Sequence, residues 1–135
     1  MAAWLAEGLA CYCEPTANGA WQGVGEPNPR RAAVLARVKG GYLPLRALVG
    51  GDDWLRKART VDQVVLGYSQ SWALFRLLME ERPRALRRYL ALVYPRRTPD
   101  HRLADFVEAF GDLTALEKRY QEYLREVARQ ARPAR

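Results

Sequence analysis

The chain has 135 residues, the length of one ordinary domain, and 49% of them are hydrophobic, which argues against wholesale disorder. Lysine and arginine outnumber aspartate and glutamate by 22 to 15, and the net charge of +7 would favour anionic partners. The arginines are nevertheless spread along the chain without a nucleic-acid-binding motif, so we expect no nucleic-acid binding.

The first predicted element is a helix over residues 3–13 that ends before Pro15. Its apolar stripe consists of Trp4, Leu5, Leu9 and Tyr12. No basic segment precedes this apolar stretch, and no uncharged apolar run in the chain approaches the ~18 residues that span a bilayer. We therefore expect neither a signal peptide nor a transmembrane segment.

A loop rich in Gly, Pro and Asn follows, over residues 15–29, and loops of this length often form functional rims or covers. Asn28 and Pro29 are then typical of an N-cap and first helical residue, for a helix that reaches Lys39 and ends at Gly40. Two short helical segments are predicted next, one opened by Pro44 and one capped by Asp52 or Asp53.

Residues 68–80 are apolar almost all round, which predicts a helix buried on most sides. Pro83 begins a helix that stops before Pro95, and apolar stripes predict two more helices over residues 103–110 and 113–130. The sequence thus predicts a single helical domain over residues 1–130.

Residues 131–135 form its frayed tail in this interpretation. No alternation long enough to predict a strand is present.

The most informative motif is Trp4-Leu5-Ala6-Glu7-Gly8-Leu9-Ala10, continuing to Tyr12 and Glu14. It resembles the segment W-L-x-E-G-x-A-x-Y-x-E of gluzincins, the zinc metallopeptidase superfamily that includes thermolysin and aminopeptidase N-like enzymes, and especially their uncharacterised bacterial branch. The resemblance implies that Glu7 is the third zinc ligand. The other two ligands would come from an H-E-x-x-H helix about twenty residues upstream, whose glutamate is the general base.

An alternative for Glu7 is a solvated glutamate on the polar side of an amphipathic helix. Glu7 shares its side of the helix with the small residues Ala3, Ala10 and Cys11, which would let a second helix approach closely. We therefore expect a face that a missing partner helix would cover. In the monomer, Cys11 on this face should be exposed and reactive.

A second motif, Gly67-Tyr68-Ser69-Gln70-Ser71-Trp72-Ala73-Leu74, is similar to the stretch of aminopeptidase N-like gluzincins that carries a tyrosine. The resemblance implies that the Tyr68 hydroxyl donates to the oxyanion formed at the scissile carbonyl. Tyr68 lies 61 positions after Glu7, so the two side chains should converge on one cleft, within roughly 10 Å. The alternative is a core aromatic whose hydroxyl finds a backbone partner.

The final segment, FVEAFGDLTALEKRYQEYL, also resembles the end of the bacterial gluzincin domains, so the likeness spans nearly the whole chain. The H-E-x-x-H motif is missing, however, because His101 is the single histidine and six residues precede Glu7. We therefore expect zinc in a complete parent enzyme and none bound by this chain alone. Its partner would be the missing N-terminal segment, and the parent's substrate would be a peptide or protein.

Other residues are weaker ligand candidates. His101 has no histidine or cysteine nearby in sequence and is expected at the surface. Cys11 and Cys13 are too close in sequence for an ordinary disulfide, and they project about 200° apart on a helix, so they cannot readily chelate one ion together.

The resulting hypothesis is an all-α orthogonal bundle of about six to eight helices, like the C-terminal lobe of gluzincin peptidases. Its function would be that of the C-terminal portion of a zinc-dependent peptidase, inactive alone, with Glu7 as metal ligand and Tyr68 as catalytic residue. The alternative is a non-catalytic helical interaction module that binds a partner through its basic surface or long loop.

Overall fold

A computed structural model describes residues 1–17 and 19–131. These residues form eight α-helices, a short 3-10 helix over Pro99–His101 and a two-stranded antiparallel hairpin of β1 (Thr16–Ala17) and β2 (Ala20–Trp21). The helices are α1 (Ala3–Cys13), α2 (Pro29–Ala36), α3 (Leu45–Gly50), α4 (Asp53–Arg56), α5 (Val61–Glu81), α6 (Pro83–Val93), α7 (Arg102–Phe110) and α8 (Leu113–Ala131). The fold is therefore all-α, as the apolar periodicity predicts.

The central helix of the fold is α5, which contacts α1, α2, α4, α6 and α8. Its middle is buried all round, as predicted, but it begins at Val61 rather than at Tyr68. The Thr60 hydroxyl accepts a hydrogen bond from the Gln63 N–H at 3.2 Å and caps this earlier start. The first turns are largely exposed, which is why the apolar pattern alone places the beginning of the helix too late.

Helix α1 packs along α5, with Gly8 at the point of closest approach. A Cβ atom on Gly8 would lie 2.6 Å from the Ser71 carbonyl oxygen and 3.2 Å from the Phe75 Cβ. Further along α1, the Tyr12 ring lies edge-on against the Phe75 ring, with 5.1 Å between their centroids. The two helices are therefore in close contact from Gly8 to Tyr12.

The buried face of α1 differs from the predicted stripe. It consists of Trp4, Leu5, Gly8 and Cys11, whereas Leu9 is 44% exposed. The predicted stripe left out Gly8, which contacts α5, and Cys11, three residues later, which is 2% exposed. The predicted exposure of Cys11 is therefore wrong, and the argument that a missing helix covers the face of Cys11 is lost with it.

A buried amide joins three parts of the fold. The Gln70 side chain on α5 accepts a hydrogen bond from the Leu43 N–H at 2.8 Å and donates to the Leu43 carbonyl at 3.0 Å. The Tyr120 hydroxyl on α8 donates to the Gln70 carbonyl at 2.8 Å. Because Gln70 and Tyr120 are fully buried, these bonds offset the cost of removing their polar groups from water.

Asp52 holds the N-terminal end of α1 in place. Its Oδ1 accepts a hydrogen bond from the Ala3 N–H at 3.0 Å and forms an ion pair with Arg102 at 2.7 Å. Burial of the carboxyl group opposes its charge, but the Arg102 guanidinium and the Ala3 N–H together hold the pKa of Asp52 below its usual value. The carboxylate therefore links α1 to α7 from the segment before α4.

Helix α2 ends at Ala36 rather than at the predicted Lys39. The Tyr42 hydroxyl donates to the Leu35 carbonyl at 2.8 Å and so satisfies one of the last carbonyls of the helix. Its N-cap is as predicted, since Asn28 Oδ1 accepts from the Arg31 N–H at 3.2 Å.

The predicted loop over residues 15–29 contains the short hairpin, which the sequence argument missed. Of the predicted tail, residue 131 ends α8 and residues 132–135 lie outside the described part of the chain. None of the described helices has the length and apolar character needed to cross a membrane.

Replacement of Gly8 by alanine tests the contact between α1 and α5. The added Cβ would clash with the Ser71 carbonyl, which belongs to the backbone and cannot rotate away. Overpacking of this kind costs about 1–3 kcal/mol, and the better helix propensity of alanine returns up to ~1 kcal/mol. We therefore expect Gly8→Ala to lower the free energy of unfolding by about 1–2 kcal/mol in urea denaturation.

The matched control is Gly50→Ala, since Gly50 is also helical but has open space within 4 Å of its Cβ position. It should be neutral or stabilise the fold by less than about 1 kcal/mol. Equal effects of the two substitutions would contradict the tight contact at Gly8.

Candidate functional site

Glu7 lies in the middle of α1, directly before the Gly8 contact, and is half-buried. Around it, Ala3 is half-buried and Ala10 is exposed, so this side of α1 is only partly covered. Among residues 1–17 and 19–131, no side chain or backbone group forms an ion pair or hydrogen bond with the Glu7 carboxylate. A half-buried carboxylate without a protein partner is available to a ligand.

Tyr68 lies in the first half of α5 and is half-buried. Its ring stands edge-on against the Trp54 ring, with 6.2 Å between centroids and an interplanar angle of 86°. The Arg31 guanidinium lies over the Tyr68 ring, 5.9 Å from its centroid. Within the described part of the chain, the Tyr68 hydroxyl has no hydrogen-bond partner, whereas a core tyrosine ordinarily finds one.

Arg31 connects Tyr68 to the end of α1. Its Nε forms an ion pair with Glu14 Oε1 at 2.9 Å, and its side chain is only 13% exposed. Asn28 reinforces this connection, because its Nδ2 donates to the Cys11 carbonyl at 3.2 Å and to Glu14 Oε1 at 3.3 Å. Glu14, the last glutamate of the motif, thus holds Arg31 in place against the Tyr68 ring.

The Cys11 thiol lies close enough to these charged groups for them to affect its pKa. Burial is the main cause that raises the pKa of Cys11 to about 11; Arg31 opposes the shift, and the Glu14 and Glu7 carboxylates add to it. Glu7 lies one helical turn before Cys11 on α1, so its effect on this thiol does not relate it to Tyr68. The convergence of Glu7 and Tyr68 on one cleft stays a prediction.

Four motif residues, Trp4, Gly8, Tyr12 and Glu14, have clear structural roles. Trp4 is fully buried against Tyr89 and Phe106, with ring centroids 5.7 and 5.9 Å away. Gly8 permits the contact with α5, and Glu14 holds Arg31.

Tyr12 packs on Phe75 and closes against Gly25, whose positive φ of 80° and missing Cβ accommodate the phenol ring. These contacts explain much of the motif by packing, but they leave Glu7 unexplained.

The described residues do not by themselves form a zinc site. Within residues 1–17 and 19–131, no three His, Cys, Asp or Glu side chains are close enough to hold a metal ion. Glu7 offers one carboxylate, and His101 is exposed next to α7, as predicted for a surface histidine. The donor set of this chain therefore does not fit zinc unless further ligands are supplied.

The sequence argument missed Arg31, Trp54 and the second role of Asn28. Asn28 was identified only as an N-cap, because its contacts with Cys11 and Glu14 join residues 17 and 14 positions apart. Arg31 and Trp54 carry no local motif, and nothing in the sequence relates either residue to Tyr68. Only the packing of α2 and α4 on α5 reveals these neighbours.

A comparison with protein families places these residues in a known group. Residues 1–99, which include both Glu7 and Tyr68, match the model of DUF1570, a family described as a protein of unknown function. The chain belongs to the DUF1570 family. No curated protein and no solved structure matches the chain. The DUF1570 match covers α1 to α6, so the candidate site lies entirely within the family region.

The two cysteines of this DUF1570 member should differ in reactivity. Cys11 is 2% exposed with a raised pKa, so little thiolate forms at pH 8 and reagents cannot reach it, whereas Cys13 is exposed. With Ellman's reagent, we expect one fast-reacting thiol in the native protein and two after denaturation. Cys13→Ala should abolish the fast phase, and a fast phase that survived this substitution would contradict the burial of Cys11.

Proposed function

We propose that this chain is the C-terminal helical part of a zinc-dependent peptidase of the gluzincin type. In this proposal Glu7 is the zinc-ligand carboxylate and Tyr68 is the donor to the oxyanion of the reacting peptide bond. The helices correspond to the orthogonal bundle that forms the C-terminal lobe of gluzincins. The histidine ligands and the general base would come from a segment outside these residues, and the chain alone is inactive.

The observation that carries the proposal is the unpartnered Glu7 carboxylate in a motif whose other main residues have structural roles. A glutamate whose only role was to keep the protein soluble would be expected to lie exposed to water. Glu7 is instead half-buried beside the helix contact at Gly8. A ligand glutamate needs both its fixed position and its free oxygen atoms. Packing of α1 against α5 supplies the fixed position.

The surroundings of Tyr68 support the second role. A hydroxyl that stabilises an oxyanion must point to substrate rather than to a backbone acceptor, and the Tyr68 hydroxyl lacks such an acceptor among the described residues. Trp54 and Arg31 both pack against the Tyr68 ring.

The second candidate function is a non-catalytic interaction module. It is favoured by the exposed apolar side chains Tyr94 and Met1, which are 92% and 86% exposed, beside the exposed arginines of α6. This candidate gives no reason for the free Glu7 carboxylate. The two functions are distinguished by whether an enzyme form with the histidine motif loses activity when Glu7 is changed.

Zinc titration of the purified chain tests its ligand set. One carboxylate cannot bind zinc tightly, because stable sites need three or four protein ligands. Calorimetry should therefore show no stoichiometric complex with submicromolar affinity. A one-to-one complex of that affinity that disappears in Glu7→Ala would contradict this view, since it would require further ligands within the chain.

Tyr68→Phe tests the catalytic role in an enzyme form that carries the histidine motif. Loss of one oxyanion donor should lower kcat on a fluorogenic peptide by about 10²–10³, while the zinc content stays constant. The matched control is Tyr123→Phe, which removes a hydroxyl from α8 and should leave kcat unchanged. Glu7→Gln should instead lower the zinc content, and full activity of Tyr68→Phe would remove Tyr68 from the mechanism.

A further inference from the structure

Helix α6 carries a face of unpaired positive charge. Residues 84, 87, 88 and 91 are exposed, and they lie on one side of the helix because positions three or four apart are neighbours on its surface. Three of them are the arginines Arg84, Arg87 and Arg88, and none of these forms an ion pair among the residues that the structure describes. We call these three arginines the α6 basic face.

The elements beside this face provide little negative charge. Residues 82–99 include six arginines and no aspartate or glutamate. On α7, which packs against α6, and on the 3-10 helix before it, Asp105 is taken up by an ion pair with Arg96 at 2.8 Å, which leaves Asp100 and Glu108 exposed. The two glutamates at the end of α5 are paired with other arginines. Positive charge therefore predominates here, and an anionic partner would offset its repulsion.

Helix stability does not account for the three arginines. Like charges three or four residues apart repel one another, as Arg84 does with Arg87 and Arg88. The first turn of a helix favours negative charge, whereas α6 begins with Pro83 and Arg84 and has no acidic residue in that turn. These arginines therefore lower the stability of α6 slightly, and the binding of an anion explains their presence where packing does not.

Exposed apolar side chains continue the face toward the end of α6. Leu90 lies three residues after Arg87 and is 41% exposed, and Tyr94 lies two helical turns after Arg87 and is 92% exposed. Tyrosine is enriched where lipid headgroups meet water, because its ring is apolar and its hydroxyl is polar. An acidic peptide would match the arginines alone, whereas an anionic lipid surface matches the arginines and the apolar side chains together.

The α6 basic face is separate from the cavity that Met1 borders. That cavity, of about 440 Å³, is lined by Leu90 and Tyr94 but by none of the three arginines. A segment that precedes Met1 can therefore fill the cavity without covering the α6 basic face.

We propose that the α6 basic face binds the surface of a bilayer that contains anionic phospholipids. The three guanidinium groups contact headgroup phosphates, which arginine binds through paired N–H donors. Leu90 and Tyr94 lie at the level of the headgroups, and α6 lies along the bilayer surface. Clusters of basic residues on an amphipathic helix are typical of this binding. The face contains neither Glu7 nor Tyr68, so this proposal is independent of the peptidase proposal.

Sedimentation of the whole chain with vesicles tests the proposal. At about 0.1 M salt we expect the chain to pellet with vesicles of phosphatidylcholine and phosphatidylglycerol, and to stay in the supernatant with phosphatidylcholine alone. Salt at about 1 M should release the chain, because the Debye length falls from roughly 10 Å to roughly 3 Å. Equal pelleting with both kinds of vesicle, or none with phosphatidylglycerol, would overturn the proposal.

Neutralisation of the α6 basic face should weaken this binding strongly. Each arginine near an anionic surface contributes about fivefold to the partition coefficient, so the triple variant Arg84→Gln, Arg87→Gln, Arg88→Gln should lose about a hundredfold. The three side chains are exposed and repel one another, so the variant should fold with an unchanged or higher melting temperature. Unchanged binding by the folded variant would show that lipid attaches elsewhere, against the proposal.

The matched control removes the same charge from α8. Lys118, Arg125 and Arg129 are exposed there and form no ion pair within residues 1–17 and 19–131. Their joint replacement by glutamine should lower vesicle binding by less than about tenfold, because charges farther from the bilayer are screened by salt. Equal losses in the two triple variants would show a general effect of net charge and overturn the assignment to α6.

Two further measurements distinguish lipid from other anionic partners. Tyr94→Ser should weaken vesicle binding by about fivefold and leave its salt dependence unchanged, since it removes apolar contact and no charge. Polyglutamate, which offers carboxylates without acyl chains, should bind the chain more weakly than the mixed vesicles do. Polyglutamate binding as tight as vesicle binding, or no effect of Tyr94→Ser, would reduce the interaction to charge attraction and overturn the assignment to lipid.

Discussion

The close approach of α1 to α5 at Gly8 is the constraint on which the rest of the structure depends. Because no side chain separates the Gly8 Cα from the Ser71 carbonyl, α1 lies deep against the central helix. Trp4 thereby reaches the aromatic cluster of α6 and α7, while Tyr12 reaches Phe75. Glu7, next to Gly8, is held at a fixed depth at the edge of the same contact.

The same helix reaches Tyr68 through its C-terminal end. Glu14 forms an ion pair with Arg31, and the Arg31 guanidinium lies 5.9 Å from the Tyr68 ring centroid. A substitution that moved α1 would therefore displace Glu7 directly and change the surroundings of Tyr68 through Glu14 and Arg31.

Elements with strong local signals could be predicted from the sequence. Pro83 at the start and Pro95 after the end define α6, and Gly111, with its positive φ of 81°, ends α7. The predictions failed where tertiary contacts decide the outcome. At the early end of α2 the Tyr42 hydroxyl donates to the Leu35 carbonyl, and the buried face of α1 includes Gly8 at its contact with α5.

The candidate site was predictable only in part for the same reason. Glu7 and Tyr68 stand in recognisable motifs, so the sequence alone nominates them as site residues, and their roles stay a prediction. Arg31, which lies between Glu14 and Tyr68, has no such signal, because its contacts join α2 to two helices that are distant in sequence. Local sequence patterns can nominate individual candidate residues, but their neighbours in the fold depend on how the helices pack.

The pairing of α1 with α5 has a consequence for how the protein is made on the ribosome. Helix α1 is complete at Cys13, but its partner spans Val61–Glu81. At a synthesis rate of roughly 5–20 residues per second, Gly8 and Tyr12 wait several seconds for α5, and Trp4 waits longer for Tyr89 and Phe106. During that interval the nascent chain exposes apolar side chains that can bind chaperones or aggregate, and this hazard ends only after α5, α6 and α7 have emerged.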